Sequence, residues 1–285
     1  MKFIVIVVGL LILHRAGSLP GLQRDAWYQR WVSRLDGLQW LNSVSHGRVL
    51  LSLALPVLSV TILLMMVGDH WFGLPQFILS LLVFLYSLGR GDLQEQVDEY
   101  REDVKRDDLQ AAYHDSAEFN QAHEEGGAED WGQLHSEVLG AVSYRYFERY
   151  FAVMFWFILA GAPGALLYRL SVLHPDMALD EGGDQHLVSR WLRLLEWLPV
   201  RLMGLSLAFV GNFSACLDCW RNTLFSTTSS TSELISGYVA AALQSGGRHL
   251  DNPSERETEM GEIKSLFSRV LIFSICMIAL LVVVL

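Results

Sequence analysis

The run Tyr150-Phe-Ala-Val-Met-Phe-Trp-Phe-Ile-Leu-Ala-Gly-Ala-Pro-Gly-Ala-Leu-Leu-Tyr-Arg169 constrains this chain more than any other. It carries no charge before Arg169 and is long enough to enter a bilayer, which takes roughly 20 apolar residues for a full span. Two-thirds of the way along it is interrupted by Gly161-Ala162-Pro163-Gly164. Proline has no N–H to donate and clashes with the preceding turn, and glycine releases the backbone. In hydrocarbon, every freed backbone group must be satisfied by the protein itself. The break therefore predicts a segment that lines a cavity or a protein-buried site, with Gly161, Pro163 and Gly164 as its hinge.

Further apolar runs are Phe3–Leu13, Val49–Val67, Leu74–Leu88 and Val270–Leu285, in a chain of 285 residues that is 52% hydrophobic. These lengths predict an all-α polytopic membrane protein with roughly four to five membrane helices, one of them broken or re-entrant, plus cytoplasmic amphipathic helices. The first run has the layout of a secretory signal, Lys2 followed by an apolar core and Ala16-Gly17-Ser18. His14 and Arg15 are poor flanks for cleavage and good interfacial anchors, so an uncleaved anchor is expected.

Leu19–Arg48 holds Arg24, Arg30, Arg34 and Arg48 against Asp25 and Asp36. Trp27, Trp31, Leu35 and Leu38 recur at helical spacing, with Trp40 nearby, which reads as a basic helix lying in the membrane interface. The positive-inside rule places this loop in the cytoplasm and the Gly68–Gly73 turn, which has no Lys or Arg, in the periplasm of a bacterial inner membrane. The organisation expected is an N-terminal membrane region over 1–89, an acidic cytoplasmic segment over 90–149, the broken helix and its amphipathic neighbours over 150–268, and a last membrane helix over 269–285.

Charge is concentrated. Asp92–Asp130 carries fourteen acids against Arg101, Lys105 and Arg106, a balance of −11 in a chain whose total is −10. No basic stripe suggests nucleic-acid binding. Leu93, Val97, Tyr100 and Val104 form a narrow apolar seam, Glu102 and Arg106 suit an i, i+4 pair, and Asp107-Asp108 suits a break with an N-cap. A detachable helical hairpin follows, with its acids either solvated or docking a basic cytoplasmic partner. Later, Leu187–Leu198 is amphipathic and Pro199 is expected to end it. The apolar run Leu202–Gly211 after Arg201 is too short to span alone. Ser226–Ser232 reads as a linker before a helix over Glu233–Ser245. Cys216 and Cys219 form a lone C-x-x-C without further ligands at zinc spacing, and with Cys276 they read as structural. His174, His186 and His249 lack metal spacing and suit surface or interface positions.

The segment Phe155-Trp156…Ala160-Gly-Ala-Pro-Gly-Ala-Leu-Leu-Tyr-Arg169, together with Leu198-Pro-Val-Arg-Leu202, Arg90-Gly-Asp92 through Asp108-Leu-Gln-Ala-Ala112, and Gly237-Tyr-Val-Ala-Ala-Ala-Leu243, resembles the AmpE family. These are inner-membrane proteins associated with β-lactamase regulation. More distantly the chain is similar to the CobD/CbiB cobinamide-phosphate synthases. The departures matter. Where the synthases have Ser-Glu-Asn, this chain has Ser143-Tyr144-Arg145, with a later acid at Glu148. Their Asn-Thr-Leu-Asp-Ser-Met stretch corresponds to Val172–Met177, where Asp176 is the shifted acid, and their Pro-Asn-Ala-Gly-Trp is reduced to Ser-rich residues around Glu233. Magnesium-dependent amidation needs carboxylates that are gone, so cobinamide synthesis is not expected.

What the resemblance implies is an accessory or sensory membrane protein linked to cell-wall turnover and β-lactamase induction. The alternative is a membrane-embedded ligase using ATP and magnesium on another substrate. No cofactor or metal is otherwise called for. The candidate ligand-binding residues are Arg169, Arg201, Tyr168, Glu148, Asp176 and Glu233. Arg169 and Arg201 read either as interfacial snorkels or as a pair facing one cavity and holding an anionic small molecule, which under the resemblance is derived from the cell wall. Glu148 pairs with Arg145 or Arg149, or serves that site.

Overall fold

The computed structural model describes residues 1–17, 19, 21–36, 45–67, 73–89, 91–119, 130–177, 183–226, 229–244 and 252–284. Trp40, His249 and the turn 68–72 lie outside them, as do the side chains of Asp176 and His186. All regular elements described are helical: α1 (Lys2–Ala16), α2 (Ala26–Asp36), α3 (Ser45–Val67), α4 (Leu74–Ser87), α5 (Leu93–Arg106), α6 (Leu109–Asp115), α7 (Trp131–Tyr146), α8 (Val153–Met177), α9 (Gly183–Val210), α10 (Phe213–Thr223), α11 (Thr231–Leu243) and α12 (Pro253–Val284). A π-helical turn, Phe147–Ala152, joins α7 to α8. Gly47–Val67, Trp131–Pro175 and Pro253–Val284 are long and apolar enough to cross a membrane, and Leu74–Ser87 is a shorter apolar helix. The outward Leu58, Ile62, Met65 and Met66 of α3 are exposed. Such a surface is at home in lipid, where apolar side chains face apolar solvent. The protein is an all-α membrane protein.

The chain divides into two compact units. Unit 1 comprises Met1–Gly91 and Ala152–Glu196, and unit 2 comprises Asp92–Phe151 and Trp197–Leu285. In unit 1, α8 packs against α4, α3, α1 and α2. Phe84 and Phe157 meet with ring centroids 4.8 Å apart. The N-terminal segment is built into this core, with Val5 and Ile6 of α1 buried.

Three helices in the chain are interrupted by glycine or proline, and at each of them a side chain donates to a carbonyl beside the interruption. In α8, Gly161 has φ 72° and ψ −160°, a region essentially reserved for glycine. The helix is therefore kinked at Gly161, and it resumes directly after it. The Ile158 carbonyl at this break accepts from Lys2 Nζ at 2.9 Å. In α3, Pro56 cannot donate to the Ser52 carbonyl, and Trp31 Nε1 does so at 3.3 Å. In α9, Pro199 cannot donate to the Leu195 carbonyl, and Trp156 Nε1 does so at 3.2 Å. This corrects the expectation that Pro199 ends its helix. α9 runs through it to Val210, and Leu202–Val210 is its last part rather than a separate short segment. Similarly, the loop expected from Pro175 to Gln185 is shorter, because α8 continues to Met177 and α9 starts at Gly183.

Unit 2 packs α5 against α12 and α7, α11 against α7, and α10 against α11. The seam Leu93, Val97, Tyr100 and Val104 is buried. The acidic hairpin is thus anchored by its apolar face and is not a free module. The break and N-cap at Asp107-Asp108 and the Glu102–Arg106 pair are as expected. Asp92 caps α5 by accepting from Gln94 and Glu95 N–H, Asp108 caps α6 by accepting from Ala111 N–H, and Arg106 pairs with Glu102 at 3.1 Å. Tyr146 stacks on Phe267 at 4.6 Å.

Candidate functional site

Arg169 follows the broken segment of α8 by two helical turns and is 8% exposed. A lone cation in such a place would be costly. Its Nη2 donates to Asp25 Oδ2 at 3.1 Å, from the residue before α2. The other oxygen, Asp25 Oδ1, accepts from Tyr86 OH at 3.1 Å, and Tyr86 OH accepts from Trp27 Nε1 at 3.1 Å. One carboxylate therefore ties the start of α2 and the end of α4 to the middle of α8. Gly89, at φ +79°, lets the backbone pass close to this point, since a Cβ there would lie 3.1 Å from Arg169 Nη1.

A second polar line runs beside it. Tyr28 and His174 are both buried, and Tyr28 OH lies 3.0 Å from His174 Nδ1. Burial pushes the Tyr28 phenol above its ordinary range, so it stays protonated. Ser52 Oγ lies 3.4 Å from the same nitrogen. His174 is thus a core residue, not the surface or interface residue expected. The neighbour of Arg169, Tyr168, is buried and donates to Glu196 Oε1 at 3.0 Å.

A cavity of about 730 Å³ in unit 1 meets these groups at Trp27 and Tyr86. Its walls include Leu55, Pro56, Val60, Leu82 and Leu166, and Trp27, Trp31, Arg30, Arg34 and Tyr86 also line it. Its size lies within the usual range for small-molecule sites. Tyr86 belongs to both the cavity wall and the Asp25–Arg169 network.

Three of the remaining candidate residues, Arg201, Glu148 and Glu233, fall in unit 2. Arg201 donates through Nε to the Leu224 carbonyl at 3.2 Å, through Nη1 to Trp197 O at 3.1 Å and through Nη2 to Ser226 O at 2.8 Å. Its guanidinium also sits over the Trp197 ring, 4.8 Å from the centroid. Arg201 thus clamps the end of α10. Glu148 is 2% exposed in the π-helical turn and accepts from Arg145 Nη1 at 3.2 Å, which is the ion pair expected of it. Glu233 is the third helical residue of a capping box, accepting from Ser230 N–H at 3.0 Å while its own N–H donates to Ser230 Oγ at 3.2 Å. Asp176, by contrast, lies in unit 1, in the last turn of α8. Cys216 is buried with Sγ 3.5 Å from the Gly204 carbonyl, and burial pushes its thiol up to about 11, as suits a structural cysteine. Among the described residues, no three His, Cys, Asp or Glu side chains converge in a group that could hold a metal.

Compared with known proteins, the chain matches the family described as "Regulatory signalling modulator protein AmpE" over residues 22–284. The chain belongs to the AmpE family. It is also 29% identical over 236 residues to the cobalamin biosynthesis protein CobD of Stutzerimonas stutzeri, covering 78% of this chain and 74% of that one. It is 27% identical over 189 residues to protein AmpE of Shigella flexneri, covering 62% of this chain and 64% of that one. A CobD of Chromobacterium violaceum matches at 36% over 76 residues, 25% of this chain and 24% of that one. No solved structure matches.

In this AmpE-family chain, Tyr168 and Arg169 come from the segment that carries the resemblance. Asp25, Trp27, Tyr86 and His174 complete their surroundings, and none of the four was read from the sequence as part of a site. Asp25 offered one faint signal, as an acid directly preceding a basic amphipathic helix.

Proposed function

We propose that this AmpE-family protein is a multi-pass inner-membrane accessory protein that couples cell-wall turnover to β-lactamase induction by binding an anionic ligand in unit 1. The observation that carries the reading is the double placement of Tyr86. It lines the cavity and holds Asp25, the partner of Arg169. A ligand in the cavity competes for or reorients the Tyr86 hydroxyl, and the Asp25–Arg169 link passes that change to the broken helix. Arg169 and Tyr168 are the ligand-responsive residues in this scheme. Arg201, Glu148 and Glu233 hold backbone and helix ends, and the outward acids of α5 and α6 dock a basic cytoplasmic partner. The test is β-lactamase induction in cells whose own copy is replaced by Tyr86→Phe or Arg169→Met. Membrane-inserted variants that fail to support induction agree with the proposal, and wild-type induction with both would overturn it.

A second reading is favoured by the likeness to CobD over most of the chain. Under it, the protein is a membrane ligase acting with ATP and magnesium on a substrate other than cobinamide. ATP turnover by purified protein, dependent on an added acid or amine, would select this reading over a purely regulatory one.

A further inference from the structure

The unit 1 cavity is lined by two arginines from α2 and by apolar side chains from α3 and α4. Arg30 and Arg34 stand one turn apart on α2, flanked by the indoles of Trp27 and Trp31. Both arginines are exposed, and neither has a carboxylate partner among the described residues. Like charges at i, i+4 repel unless something neutralises them. Two guanidiniums present planar donor forks that match phosphate. Behind them, Leu55, Val60 and Leu82 line the cavity along two apolar helices, and Leu55 and Leu82 are exposed at its side. That side is open to hydrocarbon wherever α3 and α4 lie in a bilayer. Tryptophan beside arginine is the arrangement found where headgroups meet acyl chains.

We infer that this cavity seats an anionic membrane lipid, its phosphate between Arg30 and Arg34 and the first part of its acyl chain along Leu55, Val60 and Leu82. The inference rests on the proposed role of this cavity and names the chemical class of its ligand. A free anion would use the arginines but leave the apolar walls unfilled. A zwitterionic lipid would fill the walls but bring its own cation to the arginines. Only an anionic amphiphile satisfies both. Occupancy also places a headgroup beside Tyr86, within the network that holds Arg169.

The test uses full-length protein in a non-ionic detergent, titrated with phosphatidylglycerol or phosphatidylcholine brominated near the top of the acyl chain, with tryptophan quenching as the readout. A basic residue near an anionic headgroup contributes about five-fold in affinity, so two arginines give a preference for phosphatidylglycerol of roughly 20-fold or more. Arg30→Gln with Arg34→Gln should reduce that preference to about two- to three-fold. Trp27→Phe with Trp31→Phe should remove most of the saturable quenching. Unbrominated phosphatidylglycerol should reverse the quenching, and millimolar inorganic phosphate should not. Equal affinity for the two lipids in the unaltered protein would overturn the inference. So would saturable quenching that survives loss of both tryptophans, which would place the lipid elsewhere, or displacement by inorganic phosphate, which would mark a free-anion site. Lipid selectivity is read without any induction assay. If it holds while Tyr86→Phe and Arg169→Met cells induce normally, the regulatory reading fails and the lipid site stands.

Discussion

Replacing Gly161 by alanine isolates the cost of the break in α8. At φ 72° and ψ −160°, an L-residue is strained by about 1–3 kcal/mol. The added methyl itself has room, because nothing but Lys2 Cε and Pro163 Cδ comes within 4 Å, each at 3.8 Å. The whole effect is therefore backbone energy. At roughly 2 kcal/mol, and about 2–4 °C per kcal/mol for a chain of this order of size, the thermal midpoint in detergent should fall by about 4–8 °C. Gly164→Ala fails for a different reason, since its new methyl would lie 2.6 Å from the Trp156 carbonyl oxygen. A second substitution sharpens the test. Lys2→Met deprives the Ile158 carbonyl of its donor, at a cost of about 1–2 kcal/mol. If the Gly161→Ala substitution drives the segment back to regular helix, that carbonyl regains a backbone donor and Lys2→Met becomes nearly neutral. Scanning fluorimetry on the two single variants and the double variant gives the coupling. An unchanged midpoint for Gly161→Ala, or the same cost for Lys2→Met in both backgrounds, would refute the reasoning.

Trp31→Phe should destabilise the unaltered protein but have little effect in a Pro56→Ala background, where the Ser52 carbonyl has its own donor again. Measured couplings of this kind in membrane proteins average about 0.6 kcal/mol and reach about 1.7, and a coupling of zero by the same fluorimetry would argue against the repair. Arg201→Met should destabilise unit 2 by roughly 3 kcal/mol or more, because three carbonyls lose a charged donor. Arg201→Lys should recover little of that loss, since lysine lacks the planar fork, and full recovery would mean that charge alone matters. Burial and the neighbouring Asp115 push the Asp103 carboxyl up to about 6, against about 3.9 in an unfolded chain. The folded state then holds an extra proton between those values, so stability should fall as pH rises from about 4 to about 6. Asp103→Asn should flatten that slope in denaturant titrations run across the window, and an unaltered slope would remove Asp103 as its source.

The break at Gly161–Gly164 was readable because proline and glycine act on their own backbone, and the cap at Asp108 because it acts within three residues. The capping box around Glu233 was equally local, since Ser230 and Glu233 stand three apart, yet the Ser-rich run around it reads as linker. Arg169 was recognisable as a cation that lipid would not tolerate. Its partner Asp25 lies 144 residues away and was not. Pro199 shows the same limit from the other side. Local chemistry argues for a helix end, and only a tryptophan from a different helix lets the helix continue. Arg201 was read through its charge, whereas its position is explained by carbonyls at the end of α10, which spacing does not reveal. His174 looked like a surface residue because neither Tyr28 nor Ser52 is near it in sequence.

The three interruptions share a direction in time. Lys2 precedes Ile158, Trp31 precedes Ser52, and Trp156 precedes Leu195. In every case the donor leaves the ribosome before the carbonyl it will serve. At about 5–20 residues per second, Ile158 is synthesised roughly 8–30 s after Lys2. None of these three carbonyls therefore has to wait for a donor from a later segment. A circular permutant that moved α1 behind α8 would keep every final contact and reverse that order. It should insert less efficiently while being equally stable once assembled.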